Sequence, residues 1–299
     1  MLRIGTDCSG MEAPIEALKQ LNIPYHHVFS CDIDKYCRET IHANHTPDIL
    51  FHDMFGRDLD QIPDIDLYVC GFPCQPFTTA GDRQGFLDKR GSIFWKCIEV
   101  IRHKRPKYFI LENVKGILSA NNGEMWSKML DTFEALCDDI GYTISYKLLN
   151  TRSYGIPQNR ERMYIVGQLE GGIYEFPELV EMASLDDYID WTNVVEEPLN
   201  RTYYEGRSYP EHCKIIDLNF LQQNKFINSH RWSPCLNTQH GIWIVPLHRK
   251  ATIGEYLGLQ GFKTSMNIVV SKTQMIKQIG NSMSVNVLVA ILSKLLNVV

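Results

Sequence analysis

The chain has 299 residues, of which 44% are hydrophobic, and its formal net charge is −5. This length and composition exclude a disordered or fibrous chain and allow a full hydrophobic core, with room for two domains. The acidic balance argues against simple electrostatic binding of nucleic acid by the whole chain, but it is local. Residues 168–230 carry twelve acidic and four basic side chains, which leaves a net charge of +3 for the rest of the chain.

Targeting and cysteine patterns indicate an intracellular protein. No apolar run of about 18 residues occurs, and residues 1–7 lack the pattern of a signal peptide. The nine cysteines include no C-x-x-C pair, which favours a reducing compartment over a disulfide framework. No cysteine or histidine pairs stand at zinc-like spacing, so we expect no metal site. We therefore expect a soluble cytoplasmic protein without a membrane segment or, for a viral or eukaryotic source, a protein of the cytoplasm or nucleus.

The first predicted strand and helix flank a glycine turn. Residues 2–6 predict the strand, and apolar side chains at helical spacing, Ile15, Leu18 and Leu21, predict the helix. The turn between them contains Gly10. A strand, glycine turn and helix can cradle a nucleotide-like ligand, because the turn admits the ligand close to the backbone and the helix N-terminus offers free N–H groups.

Acidic residues follow the second predicted strand, residues 27–31. Asp32 lies 22 residues after Gly10, the interval at which an acidic side chain accepts hydrogen bonds from ribose hydroxyls in such folds. The structural alternative is a helix N-cap, because Asp32 or Asp34 directly precedes a helix predicted over 35–44. Both roles can hold for adjacent residues.

A cysteine and a carboxylate follow two further strands. Residues 66–70 predict a buried strand, and Cys74 follows it in a loop stiffened by two prolines. Residues 108–111 predict the next strand, which leads into Glu112. Ligands of open α/β sheets bind at the carboxyl ends of the strands, so this edge is the candidate site. The structural alternative for Cys74 is a buried cysteine without a chemical role.

The later part of the chain changes character. A helix is predicted over 125–140 and a strand over 142–150, after which Arg160 and Arg162 lead into an apolar strand over 163–166. In extended chain, side chains two residues apart point the same way. The following stretch to residue 270 is rich in acids and aromatics and lacks clear βα alternation, which predicts a second domain. A final apolar helix is predicted from about residue 285.

Four short motifs in order resemble the cytosine-C5 DNA methyltransferase family. They are Pro73-Cys74-Gln75, Glu112-Asn113-Val114, Gln158 to Arg162, and Gln278-Ile279-Gly280-Asn281-Ser282. The resemblance spans roughly the whole chain except residues 168–230. It implies an α/β, doubly wound Rossmann-like methyltransferase domain that uses S-adenosylmethionine, formed by residues 1–167 and 271–299. Residues 168–270 would then form a small, mostly irregular or β, target-recognition domain.

The resemblance implies a role for each catalytic candidate. Cys74 would add to C6 of a cytosine flipped out of the duplex, which makes C5 nucleophilic. Glu112 would protonate or hydrogen-bond N3. Arg162 would hydrogen-bond O2, supported by Arg160, which would also help lower the pKa of the Cys74 thiol.

The resemblance also implies a set of cofactor contacts. Asp32 would bind the ribose, and Asp53 the adenine amino group, although a turn residue is the ordinary explanation for a loop aspartate. Cys8 and Glu12 stand where the family has an aromatic residue and a glycine. The full set is Asp7, Cys8, Gly10, Met11, Glu12, Asp32, Ile33, Asp53, Met54, Phe72, Pro73, Asn281 and Ser282.

Three functions remain open at this point. The first is methylation of double-stranded DNA by a monomeric enzyme without a metal. The second is methylation of transfer RNA at cytosine C5, which the short second domain and the acidic balance allow. The third is a catalytically silent regulator that binds DNA or a partner, and absence of S-adenosylmethionine affinity would indicate it.

Overall fold

The computed structural model describes residues 1–73, 93–193, 213–218, 228–238 and 241–298. Cys74 lies outside these ranges. The chain divides into two compact units. Unit 1 comprises Met1–Leu149, Glu161–Pro177 and Leu288–Val299, and unit 2 comprises Asn150–Arg160 and Glu178–Val287.

A mixed seven-stranded sheet forms the centre of unit 1, in the order β3-β2-β1-β4-β5-β7-β6. Strands β3, β2, β1, β4 and β5 are parallel neighbours, and β7 pairs antiparallel with β5. This is the predicted Rossmann-like α/β fold. The strands are β1 (Leu2–Asp7), β2 (Tyr25–Cys31), β3 (Ile49–Phe51), β4 (Leu67–Gly71), β5 (Tyr108–Val114), β6 (Tyr142–Asn150) and β7 (Glu161–Leu169).

Four helices of unit 1 connect these strands: α1 (Ala13–Gln20), α2 (Lys35–Asn44), α3 (Ile93–Lys104) and α4 (Glu124–Ile140). The predicted helix over 35–44 is confirmed, and its N-cap is Asp34, whose carboxylate accepts a hydrogen bond from Tyr36 N. Asp32 is therefore not needed as the cap. Helix α1 begins differently, because its N-cap Glu12 has left-handed backbone angles and makes no side-chain cap.

Two glycines allow aromatic rings to lie flat against the central sheet. Gly5 on β1 is paired with Phe29 on β2, and Gly167 on β7 is paired with Phe109 on β5. In each pair the ring occupies the space that a Cβ atom on the glycine would need. Both rings are fully buried in the core of unit 1. Neither glycine can therefore gain a side chain without moving a core aromatic residue.

Replacing Gly167 with alanine is expected to destabilise the protein by about 1–3 kcal/mol, the usual cost of overpacking a dense core. The added methyl group collides with the Phe109 ring. Thermal unfolding measures the effect. Gly172→Ala is the matched control, because Gly172 is exposed and no atom lies within 4 Å of the position that its new methyl group would take. Equal stability of the two variants would contradict the packing argument.

Unit 2 contains a four-stranded sheet, in the order β11-β10-β8-β9, in which neighbouring strands are antiparallel. Its strands are β8 (Ile215–Asp217), β9 (Asn228–Ser229), β10 (Ile242–Ile244) and β11 (Arg249–Lys250). Helices α5 (Ile253–Gln260) and α6 (Lys272–Asn281) follow, and α7 (Val285–Leu295) begins in this unit and continues into unit 1.

The boundaries of the two compact units differ from the boundaries of the predicted domains. The segments 150–160 and 271–287, predicted to belong to the catalytic domain, pack within unit 2. The reason is visible in the hydrogen bonds: Thr151 Oγ1 is 2.6 Å from Ser284 Oγ, and Asn286 Nδ2 donates to Thr151 O and Tyr154 O. Which unit recognises a target remains a prediction.

The segment Lys272–Leu295 has the length and apolar composition of a membrane span. It is divided between α6 and α7, and 67% of its most apolar window is buried inside the structure. Core helices of globular proteins share both features, so this similarity is weak evidence for a membrane segment.

Candidate active site

Strands β4 and β5 bring the start of the Cys74 loop next to Glu112. Their parallel register pairs Gly71 with Glu112. The amide Nδ2 of Asn113 donates a 2.9 Å hydrogen bond to the carbonyl of Phe72, two residues before Cys74. Asn113 is itself 1% exposed. This side chain thus fixes the backbone from which the Cys74 loop leaves the sheet.

Glu112 forms an ion pair with Arg162. The Nε atom of Arg162 lies 3.3 Å from Oε1 of Glu112, and the two side chains are 15% and 8% exposed. Antiparallel pairing of β5 with β7 places Arg162 opposite Val114, two residues from Glu112 on the same face of the sheet. The sheet register therefore brings together two of the four predicted catalytic side chains.

A cluster of polar and exposed groups lies where β1, β2 and β3 end. Gly10 has a left-handed backbone with φ of +55°, and its N–H donates to Oδ2 of Asp32 at 2.8 Å. The space beside Gly10 is open, since a Cβ atom there would meet only the Cys8 carbonyl, at 3.9 Å. Ile33 is 77% exposed. Burial raises the pKa of Asp32 despite hydrogen bonds from the backbone.

Asp53 is exposed on the loop after β3, and its Oδ1 accepts a hydrogen bond from Phe55 N. Asp53 therefore stabilises the turn through its own side chain, as the structural alternative predicted. The side chains of Met54 and Phe72 are buried, at 8% and 4% exposure, whereas Pro73 is exposed. Met11 is fully buried and packs in the core, so its cofactor contact remains a prediction.

The carboxylate of Asp7 is bound inside the protein, and the predicted contact of this residue with a cofactor remains a prediction. Asp7 is 1% exposed, and its carboxylate accepts two hydrogen bonds from the guanidinium of Arg57, at 2.9 and 2.8 Å, and one from Tyr68 Oη. The guanidinium also lies over the rings of Phe29 and Phe51. Arg57 thereby ties the loop that carries Asp53 to the end of β1.

Two thiols near this edge are poor nucleophiles. A hydrogen bond from Cys70 by itself lowers the pKa of Cys8, but burial and nearby negative groups outweigh it and raise that pKa. Burial raises the pKa of Cys70 well above its usual value. Both thiols are therefore protonated at neutral pH, and the thiolate is the reactive form of cysteine.

In unit 2, the side chain of Arg160 binds backbone carbonyls. It is 2% exposed, and its guanidinium donates to Leu236 O and Gly280 O at 3.1 Å and to Ser282 O at 2.7 Å. Gln158 complements this contact by donating to Leu259 O and accepting from Leu236 N. These bonds join residues 158–160 to three other segments of unit 2, which contain Leu236, Leu259 and residues 280–282.

Arg160 was predicted to support Arg162 and to help lower the pKa of the Cys74 thiol, and that role remains a prediction. Strand β7 begins at Glu161, so Arg160 precedes the strand and the alternation of side chains does not apply to it. Its backbone N–H bonds back to Gln158 O, as in a turn. Ser282 is buried and contributes its carbonyl to the same contact, whereas Asn281 is exposed. Their predicted cofactor contacts remain predictions.

Comparisons with known proteins decide the family. The profile of the C-5 cytosine-specific DNA methylase family matches residues 6–238 and 200–297. The Type II methyltransferase M.NgoBI of Neisseria gonorrhoeae is 34% identical over 270 residues, which cover 88% of this chain and 84% of that protein. M.HaeII of Haemophilus aegyptius is 33% identical over 90% of this chain and 86% of its own length.

The chain belongs to the C-5 cytosine-specific DNA methylase family. It is a DNA (cytosine-5-)-methyltransferase, as the four motifs predicted. Solved structures agree on the fold: the Dnmt2 methyltransferase of S. pombe superposes with a TM-score of 0.69 at 24% identity, and each chain covers 99% of the other. The Entamoeba histolytica methyltransferase EhMeth gives a TM-score of 0.73 at 16% identity, covering 99% of this chain and 98% of its own.

The residues of the methylase fit the cofactor that its family implies. The half-buried Asp32 and the exposed Asp53 carry carboxylates that can accept hydrogen bonds from hydroxyl and amino groups. The exposed side chain of Ile33, next to Asp32 in the chain, offers an apolar contact. Among the described residues, no group of three or more His, Cys, Asp or Glu side chains could hold a metal ion.

Sequence reasoning missed two residues that position this methylase site. Arg57 carries no local signal, since its partner Asp7 is 50 residues away. Asn113 stood within the recognised Glu112-Asn113-Val114 motif and followed a buried strand, which could have indicated a buried amide beside the Cys74 loop.

Replacing Arg160 of the methylase with methionine is expected to lower the stability of the fold. The change removes the Arg160 donor from Leu236 O and Gly280 O, whereas Ser282 O keeps a hydrogen bond from Gln260 Nε2. Each buried group left unsatisfied costs roughly 1–3 kcal/mol. Thermal unfolding measures the loss. Arg152→Met is the control from the same segment, because Arg152 is half-buried and stacks on Trp232. An Arg160→Met protein as stable as this control would contradict the role of the carbonyl contacts.

Proposed function

We propose that the methyltransferase forms a covalent adduct between Cys74 and C6 of a cytosine flipped out of double-stranded DNA. C5 of cytosine is a weak nucleophile within an aromatic ring. Addition of the Cys74 thiolate to C6 breaks the aromaticity and makes C5 resemble the nucleophilic carbon of an enamine. A duplex hides both carbons in the base stack, so the target nucleotide leaves the helix before reaction.

The ion pair between Glu112 and Arg162 carries this proposal. As the thiolate adds to C6, negative charge develops on N3 and O2 of the ring. A carboxyl group at N3 can supply a proton or hydrogen bond, and a guanidinium at O2 can stabilise the charge. The pair lies at the end of β5, next to the strand that leads into the Cys74 loop.

S-adenosylmethionine supplies the methyl group that becomes attached to C5. We propose that Asp32 binds the ribose of this cofactor and that Ile33 and Asp53 contact its adenine. The turn at Gly10 would let the cofactor come close to the backbone. Loss of the C5 proton then breaks the bond between C6 and sulfur, restores the aromatic ring and releases Cys74. No oxidant or reductant is needed, since the methyl group is transferred as a cation.

Monomeric action in the cytoplasm, without attachment to a membrane, is part of the proposal. A single chain supplies Cys74, Glu112 and Arg162, and we assign no site residue to a second copy. The oligomeric state is measured by light scattering at the concentration used for the assay. A stable dimer with activity lost on dilution would contradict the monomeric assignment.

The test of the proposed function is transfer of labelled methyl from S-adenosylmethionine to mixed-sequence duplex DNA, with total transfer RNA assayed in parallel. Label in DNA that bisulfite sequencing locates at C5 of cytosine supports the proposal. Label in RNA alone would show that the substrate is transfer RNA and not DNA. Label in neither, together with no measurable binding of S-adenosylmethionine, would favour the silent regulator.

A further inference from the structure

A carboxylate is fully buried beneath the turn between β1 and α1. It belongs to Glu12, which is 0% exposed and has a left-handed backbone with φ of +60°. Its Oε1 accepts hydrogen bonds from Thr6 Oγ1 at 2.6 Å and from Ser30 Oγ at 2.5 Å. A residue with a Cβ atom is strained in this conformation, so the contacts of the side chain hold the backbone where it is.

His27 on β2 is the basic partner of this carboxylate. Its Nε2 lies 3.4 Å from Oε1 of Glu12 and 2.9 Å from Ser30 Oγ, and the residue is 5% exposed. Burial by itself raises the pKa of Glu12, but its interactions with His27, His45 and Ser30 outweigh it and hold that pKa below its usual value. The carboxylate is therefore ionised at neutral pH and needs its partner, because a lone buried charge is very costly.

The other titratable groups around Glu12 do not replace His27. Burial lowers the pKa of His45 to about 4, so this histidine is neutral at physiological pH. Lys19 pairs with Glu16 at 2.7 Å. Burial and nearby carboxylates, Glu12 among them, raise the pKa values of Tyr25 and Asp32. Neither of these acidic groups can supply a positive charge to Glu12.

The same network reaches the turn that is assigned to the cofactor. Ser9 Oγ lies 2.7 Å from Thr6 Oγ1, which donates to Glu12, and it accepts a hydrogen bond from the backbone of Cys31. The N–H of Glu12 donates to Ser9 O. Between Ser9 and Glu12 lies Gly10, whose N–H binds Asp32. The buried pair thus braces both ends of the segment that presents Gly10.

We propose that Glu12 and His27 are positioning residues for the cofactor, acting as a buried polar pair, bridged by Ser30, that holds the Gly10 turn and Asp32 in their binding geometry. Glu12 was expected to contact the cofactor directly, but its side chain lies on the inner side of the turn. The inference rests on the proposed use of S-adenosylmethionine. It adds His27, which no motif indicated, and it gives Glu12 a role beneath the site.

Isothermal titration calorimetry with S-adenosylmethionine tests the pair. Glu12→Gln and His27→Gln each leave the other buried group without its native partner, and each is expected to raise Kd roughly tenfold or more. The double variant is expected to bind more tightly than either single variant, because replacing both partners of a buried polar pair costs less than leaving one of them without the other. His26→Gln is the matched control, since His26 lies next to His27 on β2 but pairs with Asp48 at the surface.

Steady-state kinetics separates positioning from a general loss of folding. In the single variants we expect KM for S-adenosylmethionine to rise while kcat of the folded, saturated enzyme stays within about threefold of the native value, as for residues that affect binding alone. A lower kcat with native KM and Kd would overturn the inference. So would effects of the two single variants on Kd that simply add in the double variant.

Ser30→Ala keeps the inference testable if Glu12→Gln does not fold. Ser30 bridges the two partners, and losing one such hydrogen bond is expected to raise Kd roughly three- to tenfold. A native Kd in this variant would overturn the inference. If the native protein itself binds no S-adenosylmethionine, the proposed function fails. If the native protein binds it and none of these variants changes Kd, the positioning role of Glu12 and His27 is refuted and the proposed function stands.

Discussion

Replacing Cys74 with serine is expected to abolish methyl transfer and to leave the affinity for S-adenosylmethionine unchanged. A serine hydroxyl has nearly the size of the thiol, but it ionises far less readily and is the weaker nucleophile at neutral pH. The addition to C6 then fails, and with it every later step. The measurement is label transfer to duplex DNA, with cofactor binding followed by calorimetry.

A covalent trap sharpens this prediction. In DNA with fluorine at C5 of the target cytosine, no C5 proton can leave after methyl transfer, so the adduct with the enzyme persists and is visible by denaturing electrophoresis. The native protein is expected to form the adduct, and Cys74→Ser is not. Cys137→Ser is the matched control, because Cys137 is a half-buried thiol near the end of α4. Full activity of Cys74→Ser would refute the mechanism.

Replacing Glu112 with glutamine is expected to lower kcat by roughly two to four orders of magnitude, the usual contribution of a positioned acid. The amide has the shape of the carboxyl group and can keep the position of the carboxyl group beside Arg162 Nε. It cannot deliver a proton to N3. Since the fold and the contact with Arg162 are retained, Kd for the cofactor is expected to stay native.

Glu161→Gln provides the comparison for Glu112→Gln. Glu161 begins the neighbouring strand β7, and its side chain is 42% exposed and pairs with Lys115 at 2.9 Å. An exposed pair of this kind contributes little to stability, so near-native turnover is expected. A loss of less than threefold in Glu112→Gln would show that Glu112 is structural, and the acid would have to be sought elsewhere.

The local pattern of the chain was sufficient to predict most of unit 1. The helix over 35–44 and the strand over 142–150 have the expected bounds, and the turn at Gly10 follows β1 as predicted. Such features depend on apolar periodicity and on glycine and proline within a few residues, which are visible in any sequence. The strand over 108–111 was predicted for the same reason, and β5 continues past Glu112 to Val114.

The contacts of buried polar groups could not be predicted in this way. Glu12 and Asp7 were expected to reach a ligand, yet their carboxylates are taken up by His27 and by Arg57, respectively. Buried charges require partners, but the partner can come from any segment that the fold brings near. Nothing in the local pattern around Glu12 indicates a histidine fifteen residues later on the next strand.

The sequence by itself determined the family of this protein and the α/β character of unit 1, because these depend on residue types at short spacing. Tertiary structure alone decided that Arg162 meets Glu112, through the antiparallel register of β5 and β7. It also decided that Arg160 binds three carbonyls from segments far apart in the chain. Every residue carries a backbone carbonyl, so the sequence does not indicate which carbonyl will accept a hydrogen bond from a distant side chain. Such long-range pairs are determined only when the chain folds.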